Sequence, residues 1–327
     1  MSEIFRWGII GTGGIAKRFT KDLLNTPNHR VVAVGSRTKE KAEEFAREVS
    51  ATPFGSYEEL VLADIDAVYV ATPHSAHAEN AILALTAKKP ALVEKPFAVS
   101  ANEARMMISA SQLNQVPLME AMWSRFLPHY QLVRESILAG DIGEIVAIYS
   151  DHGQALPLNP YYRLHAPELA GGALLDLGVY PISLTQMLLG APDEIIAAAE
   201  FTQSGVDANT SMIFTYINGA HALLNTTLLI NTPTTGTIIG TKGRIEIHGS
   251  FYSPTSIRIT SSKGSQDFPN KYLGHGLREQ ALAFEKVVEN SKLESNLMTH
   301  KDSLQVMEIM DEVRKQIGLI YPFESAL

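Results

Sequence analysis

Residues 5 to 19, FRWGIIGTGGIAKRF, pass from an apolar strand pattern through a glycine-rich turn into a helical pattern. Gly11, Gly13 and Ala16 fall in the G-x-G-x-x-G/A register. In that register the first glycine permits a tight turn and the second lets a pyrophosphate approach the backbone. The third position must be small for helix and strand to pack closely, a need that Ala16 meets. Free amides and the positive dipole end at the helix start then favour phosphate groups. A lone glycine pattern says little. Its force comes from its neighbours in the chain, because up to about residue 122 short apolar runs alternate with helical patterns. RVVAVGS, DAVYVAT, ALVEKPF and VPLMEAM read as further strands, and KEKAEEFAREV, SAHAENAILALTA and SANEARMMISASQLN read as helices. That alternation predicts βαβ units in a doubly wound parallel sheet, a Rossmann domain over residues 1–122. Gly11, Thr12, Gly13, Gly14 and Ile15 would face the phosphates of a dinucleotide.

The texture changes after Met122. A chain of 327 residues is too long for one core, and residues 123–327 read as a second domain for substrate binding and dimerisation. A helix near HYQLVRESILAG and a strand in EIVAIYSDHG lead to a loop, ALPLNPYYRLHAPELAGG. From residue 193 to 261 strands follow one another. Asn218-Gly219 between alternating runs marks one hairpin, and GTIIGTKGRIEIHGS reads as another. This predicts an α/β domain with an open, mainly antiparallel sheet. Helices at about 275–290 and 300–317 are expected to pack back. Ile213, Leu223 and Leu228 suggest an apolar sheet face that needs covering, and hence a homodimer or a dimer of dimers.

Composition removes several function classes. The formal net charge of -8 leaves no basic surface for nucleic acid. Cysteine is absent, which excludes disulfides and thiolate chemistry and fits a reducing cytoplasm. The start MSEIFRWGIIG lacks the form of a signal peptide. No apolar run approaches the ~20 residues of a membrane span. A cytoplasmic protein with a small-molecule partner is the expectation.

The end of the second strand bears on which dinucleotide binds. An NAD site usually carries an acid there for the ribose hydroxyl, whereas this chain has Ser36, Arg37, Thr38 and Lys41, with no acid before Glu40. A carboxylate would repel a 2′-phosphate and a guanidinium would pair with it, so Ser36, Arg37 and Lys41 favour NADP, with NAD the alternative. Ligands of such sheets lie beyond the carboxyl ends of the strands, so Thr72, Pro73, His74 and His77 in VATPHSAHAE should flank the cofactor. His74 and His77 lack a third ligand nearby, and no metal is expected. Another strand ends in Glu94, Lys95 and Pro96, an acid and a base side by side where the same rule places ligands.

Taken together, GTGGIA (11–16), ATPHSAH (71–77), EKP (94–96), MEAMWSRFLP (119–128), GGALLDLGVYPI (171–182) and the final YPFE resemble one family. It is the glucose-fructose oxidoreductase, inositol dehydrogenase and rhizopine catabolism (Gfo/Idh/MocA) family, and the likeness extends over essentially the whole chain. Within it the chain resembles the branch holding dimeric dihydrodiol dehydrogenase and NADP-dependent D-xylose dehydrogenase. The resemblance implies hydride transfer between a nicotinamide and a carbinol or carbonyl carbon of a sugar or vicinal diol. It makes Lys95 catalytic, Glu94 the acid that holds its corner, and Pro96 a residue often found as a cis turn. Asp176 and Tyr180 match the family's second motif, with tyrosine where many members have histidine. A phenol titrates near ~10 against ~6.5 for imidazole, so a neighbouring ammonium such as Lys95 would have to favour the phenolate. On a helix, i, i+4 spacing would put Asp176 and Tyr180 on one face. Trp123 and Arg125 resemble cofactor contacts, while Tyr161, Tyr162, Arg163 and His165 are candidates for the substrate end. Rival readings are an NAD-dependent sugar or inositol dehydrogenase and a non-catalytic nucleotide sensor.

Overall fold

The apolar runs of the N-terminal part form β1 (Phe5–Ile10), β2 (His29–Gly35), β4 (Ala67–Val70), β5 (Ala91–Glu94) and β6 (Leu118–Ala121) in the computed structural model, which describes residues 4–157 and 162–324. A further strand, β3 (Thr52–Phe54), is too short for any alternation to have shown it. All pairs are parallel, in the order β3-β2-β1-β4-β5-β6. Between them run α1 (Gly14–Leu23), α2 (Lys39–Val49), α3 (Tyr57–Leu60), α4 (His77–Thr86) and α5 (Ala101–Asn114). Helices on both faces bury the central strands completely, which is why these read as unbroken apolar runs: Ile9, Ile10, Val68, Tyr69, Leu92 and Val93 are all inaccessible to solvent. This is the doubly wound Rossmann sheet, and its order reverses between β1 and β4, the crevice where such sheets bind ligands.

Beyond it lie α6 (Pro128–Leu138), β7 (Ile145–Gly153), a π-helical turn at Leu174–Gly178 and α7 (Val179–Leu189). Then come β8 (Glu194–Phe201), β9 (Asp207–Thr215), β10 (His221–Thr227), β11 (Gly236–Gly240), β12 (Gly243–Ile247), β13 (Ile257–Ser261) and β14 (Gly264–Phe268). These eight strands form one sheet, β14-β13-β12-β11-β7-β10-β9-β8. Its pairs are antiparallel except β10 with β7, so the sheet is mainly antiparallel, as the sequence suggested, with one parallel pair at its centre. The Asn218-Gly219 turn closes β9 onto β10, with Gly219 at φ +85°. α7 packs on β7 and β10 and buries one face of the sheet. Met212, Phe214, Ala222 and Leu224 point into that core.

The other face carries a row of cross-strand neighbours, Ile196, Ile213, Leu223 and Tyr149, each more than a third exposed. Leu228, expected on this face, belongs elsewhere. It lies beyond the end of β10, buried in a cluster with Leu164, Ala173 and Leu177. One stretch, Pro167–Leu189, is apolar enough by composition to cross a membrane, although no such run was expected. Most of it is buried inside the protein, and it is the core helix of this sheet.

The chain forms two units, the first comprising the residues up to Trp123 together with Gly274–Leu304. The second comprises Ser124–Leu273 and the chain from Gln305 on. The returning segment contains α8 (Leu277–Glu289) and opens α9 (His300–Ile317). Physical chemistry explains its allegiance. The Asp22 carboxylate on α1 accepts from the backbone N–H groups of His275, Gly276 and Arg278 at 3.0, 2.9 and 3.0 Å, capping α8 from a neighbouring helix. Trp7 on β1 donates to His29 at 2.9 Å, and the other nitrogen of His29 lies 3.2 Å from Glu285 on α8.

Candidate active site

In the first unit, β1 is followed by Gly11, whose φ is +105°. A Cβ there would meet the Ala71 carbonyl oxygen at 2.6 Å, so only glycine lets the ends of β1 and β4 approach so closely. The next two glycines have the opposite character. A Cβ at Gly13 or Gly14 would stand in open space, the room a phosphate needs against the backbone. α1 begins here with no side chain capping its first amides. Uncapped amides, a dipole and free space together fit a pyrophosphate.

At the end of β2, Ser36 is buried and its hydroxyl accepts from the Thr38 N–H at 3.3 Å. Arg37 and Lys41 are exposed, and the Arg37 charge acts on the Tyr57 hydroxyl. Burial raises the Tyr57 hydroxyl above its ordinary pKa, with Arg37 pulling the other way. The ends of β4 and β5 are tied together by His77, which starts α4. Its Nδ1 lies 2.8 Å from the Pro96 carbonyl oxygen and its Nε2 lies 3.0 Å from that of Thr72. Full burial is the main force holding its pKa down to about 3, against two carbonyls that favour the cation, so the ring is neutral and donates to one of them. His74 is also buried, its ring edge-on to His77 at 5.7 Å. Among the described residues no group of three His, Cys, Asp or Glu is arranged for a metal.

Lys95 emerges half-buried at the end of β5. The corner beneath it is built from Glu94, whose carboxylate accepts from the Tyr69 hydroxyl and, at 3.2 Å, from the Lys95 N–H. The Lys95–Pro96 peptide is cis. Tyr69 carried no motif, and its stacking on Phe19 at 3.8 Å is a contact between distant segments that sequence alone could not supply. Trp123 is buried beside His275, at 5.1 Å between rings.

In the second unit, Asp176 sits inside the π-helical turn and Tyr180 in the first turn of α7. The expected α-helical i, i+4 geometry is thus replaced by a wider turn, a feature that recurs at functional sites. Asp176 is buried, and its Oδ1 accepts from Arg163 at 2.9 Å. Tyr180 is buried too, stacked on Tyr252 at 4.4 Å with His152 at 5.4 Å. Arg163 is therefore joined to Asp176, while Tyr162 packs on the cluster around Leu164 and Leu177, 6.5 Å from the His165 ring. Tyr161 lies outside the described residues. Arg125, expected at the cofactor, is fully buried, and its guanidinium donates to the Ser183 hydroxyl and carbonyl at 2.9 Å each and to Gln186. A buried guanidinium needs such acceptors, and α7 provides them.

The turn bearing Asp176 is held at its start by Asp207. This carboxylate accepts from the Leu174 N–H at 2.8 Å and the Thr210 hydroxyl at 2.7 Å. Gly172, at φ +115°, leaves it room, since a Cβ there would lie 2.1 Å from Asp207 Oδ1. Burial pushes Asp207 up to about 6, with the hydrogen bonds pulling down. Its folded value exceeds the unfolded ~3.9, so the folded state holds the proton more tightly. That contribution is complete below about pH 4 and is lost as pH rises through about 6, at most ~3 kcal/mol in all. Asp207→Asn cannot ionise. Denaturant unfolding of both proteins should show the variant gaining ~1–3 kcal/mol relative to wild type between pH 4 and 6.5. A constant difference would mean that Asp207 titrates normally.

Comparison with known proteins agrees with these features. The model of the Gfo/Idh/MocA oxidoreductase family, NAD-binding Rossmann fold, matches residues 5–122, and that of the Gfo/Idh/MocA C-terminal domain matches residues 130–246. D-xylose 1-dehydrogenase (NADP(+)) of Hypocrea jecorina is 36% identical, covering 97% of this chain and 93% of its own. Trans-1,2-dihydrobenzene-1,2-diol dehydrogenase of Xenopus laevis is 35% identical over 97% of this chain and 99% of its own. Among solved structures, KijD10, a 3-ketoreductase from Actinomadura kijaniata in complex with NADP and TDP-benzene, superposes with a TM-score of 0.85 at 27% identity, covering 96% of this chain and 98% of that one.

Proposed function

The chain belongs to the Gfo/Idh/MocA oxidoreductase family, NAD(P)-dependent dehydrogenases acting on CH–OH groups, and from that premise we propose that it is an NADP-dependent dehydrogenase of a sugar or vicinal diol. The observation that carries the cofactor choice is the acid-free end of β2, where Ser36 is buried, Arg37 is exposed, and Lys41 follows in the first turn of α2. The substrate class follows the relatives, one named for a sugar and another for a diol.

When bound, the nicotinamide supplies or accepts the hydride. The chain's own work is acid–base and electrostatic. Tyr180 holds the proton at its hydroxyl and exchanges it with the substrate oxygen. Lys95 polarises that oxygen and favours the tyrosinate. Asp176, steadied by Arg163, orients the substrate hydroxyls. Gly11 to Ile15 cradle the pyrophosphate, and Thr72, Pro73, His74, His77 and Trp123 line the nicotinamide side.

The cofactor assignment has a direct test. NADPH should bind at least ~tenfold tighter than NADH, a difference of ~1.4 kcal/mol, and Arg37→Ala should erase most of that preference while leaving NADH affinity unchanged. Fluorescence titration of both cofactors decides it; equal affinities in the wild type would move the chain to the NAD-dependent reading.

We also propose that the protein assembles through the exposed row of Ile196, Ile213, Leu223 and Tyr149. An apolar strip across four neighbouring strands favours burial against a second copy. Light scattering at micromolar concentration should give a dimer or a dimer of dimers, and Leu223→Glu should shift it toward monomer. A wild-type monomer would refute this assembly.

A further inference from the structure

His152 stands at the end of β7, and both its ring nitrogens are engaged. Nδ1 lies 3.2 Å from the carbonyl oxygen of Leu177, inside the π-helical turn, and must donate to it. Nε2 lies 3.0 Å from Gln154 Nε2 and accepts from it. The second hydrogen on that amide nitrogen goes to the Tyr252 hydroxyl, also at 3.0 Å. These bonds together define one neutral tautomer of His152.

The rings close the arrangement. Tyr252 stacks on Tyr180 and on His152, at 4.4 Å in both cases, while Tyr180 and His152 are 5.4 Å apart. Rings on opposite faces of Tyr252 would be separated by nearly twice the stacking distance. Tyr180 and His152 therefore share one face, and Tyr252 lies across both. The path runs from the π-helical turn through His152 and Gln154 to Tyr252, and returns through the stack to Tyr180, three residues beyond Leu177.

We propose that His152, Gln154 and Tyr252 are positioning residues for Tyr180, fixing the plane of its ring and covering one face of it against water. This rests on the reading that Tyr180 carries the proton. None of the three need touch the reacting atoms. Their effect is to hold a phenol hydroxyl to one line of approach, and a misplacement of about 1 Å at such a group costs ~100-fold in rate. Stacking fixes the ring and the hydrogen bonds fix the stack, so removing either loosens the hydroxyl without changing its chemistry.

Steady-state kinetics on Tyr252→Ala, Tyr252→Phe, Gln154→Leu, Tyr180→Phe and the Tyr252→Ala/Tyr180→Phe double variant test this, with NADPH affinity and circular dichroism measured on each. Tyr252→Ala should lower kcat ~10- to ~100-fold with NADPH affinity and fold unchanged. Tyr252→Phe, which keeps the stack, should recover most of that loss. Gln154→Leu, at a half-exposed position, keeps every ring and cuts both hydrogen bonds; a loss of ~3- to ~10-fold is expected, and it serves if Tyr252→Ala does not fold. In the double variant the Tyr252→Ala loss should vanish, because there is no longer a hydroxyl to position. Normal kcat in Tyr252→Ala, or in Gln154→Leu where that variant must stand in, overturns the positioning role alone. So does a Tyr252→Ala loss that multiplies onto that of Tyr180→Phe. Near-normal kcat in Tyr180→Phe overturns the parent reading and this one with it.

Discussion

Tyr180→Phe should lower kcat by ~100-fold to ~10,000-fold, the usual consequence of deleting a general acid or base, while NADPH affinity should stay near wild type. The ring is what packs: it is buried and stacked on Tyr252 at 4.4 Å, and phenylalanine keeps that contact. Only the hydroxyl is lost, so a fall in kcat without a fall in stability isolates proton transfer from packing. In the proposed mechanism Gly11 to Ile15, Ser36 and Arg37 hold the cofactor, so loss of one hydroxyl at Tyr180 should leave its affinity near wild type. If Tyr180 were only a packing residue, Tyr180→Phe would retain more than about half of wild-type kcat, far from the loss expected for an acid or base.

Lys95→Met should cripple turnover to a similar degree, since in the proposed mechanism it removes the cation that polarises the substrate oxygen and favours the tyrosinate. The methionine preserves most of the side chain's length and apolar stem. The Glu94 carboxylate accepts from the Tyr69 hydroxyl and from the Lys95 N–H, and the substitution keeps both of these donors. In the proposed mechanism Lys95 and Tyr180 serve one proton transfer, and the double variant should be about as slow as the slower single. Losses that multiply would show two independent roles. A large loss in Lys95→Met beside a normal Tyr180→Phe would make the lysine the sole acid.

How much of this was legible in the sequence depends on whether the interaction is local or distant. The Rossmann unit was legible because its central strands, covered on both faces, must be apolar throughout, and because Gly11 and Gly13 answer a local backbone demand. The hairpin at Asn218-Gly219 was legible for the same local reason. β3 was missed because three residues carry no period. The return of Gly274–Leu304 to the first unit turns on Asp22 capping amides more than 250 residues away, which no local pattern encodes. The π-helical turn was hidden for a different reason. Its residues are buried on every side, so apolar periodicity carried no information about hydrogen-bond register.

In the site, Lys95, Asp176 and Tyr180 came from motif resemblance, and their surroundings came only from the structure. Gln154 and Tyr252, common residue types 98 positions apart, carried no signal that could have joined them. Arg125 shows the converse. Family resemblance offered it as a cofactor contact, but nothing in its motif announced that Ser183 and Gln186 on α7 would hold its guanidinium.

The central claim is that this chain oxidises or reduces a hydroxyl-bearing carbon of a sugar or diol with NADP. Nicotinamide absorbance, followed with the purified protein against a panel of aldoses, dihydrodiols and dicarbonyls, tests it most directly. The account expects turnover with NADP(H) on at least one aldose or dihydrodiol, faster than with NAD(H), and its near-loss in Tyr180→Phe and Lys95→Met. A protein that binds NADPH yet turns over no member of the panel, or one whose turnover survives both substitutions, would contradict it.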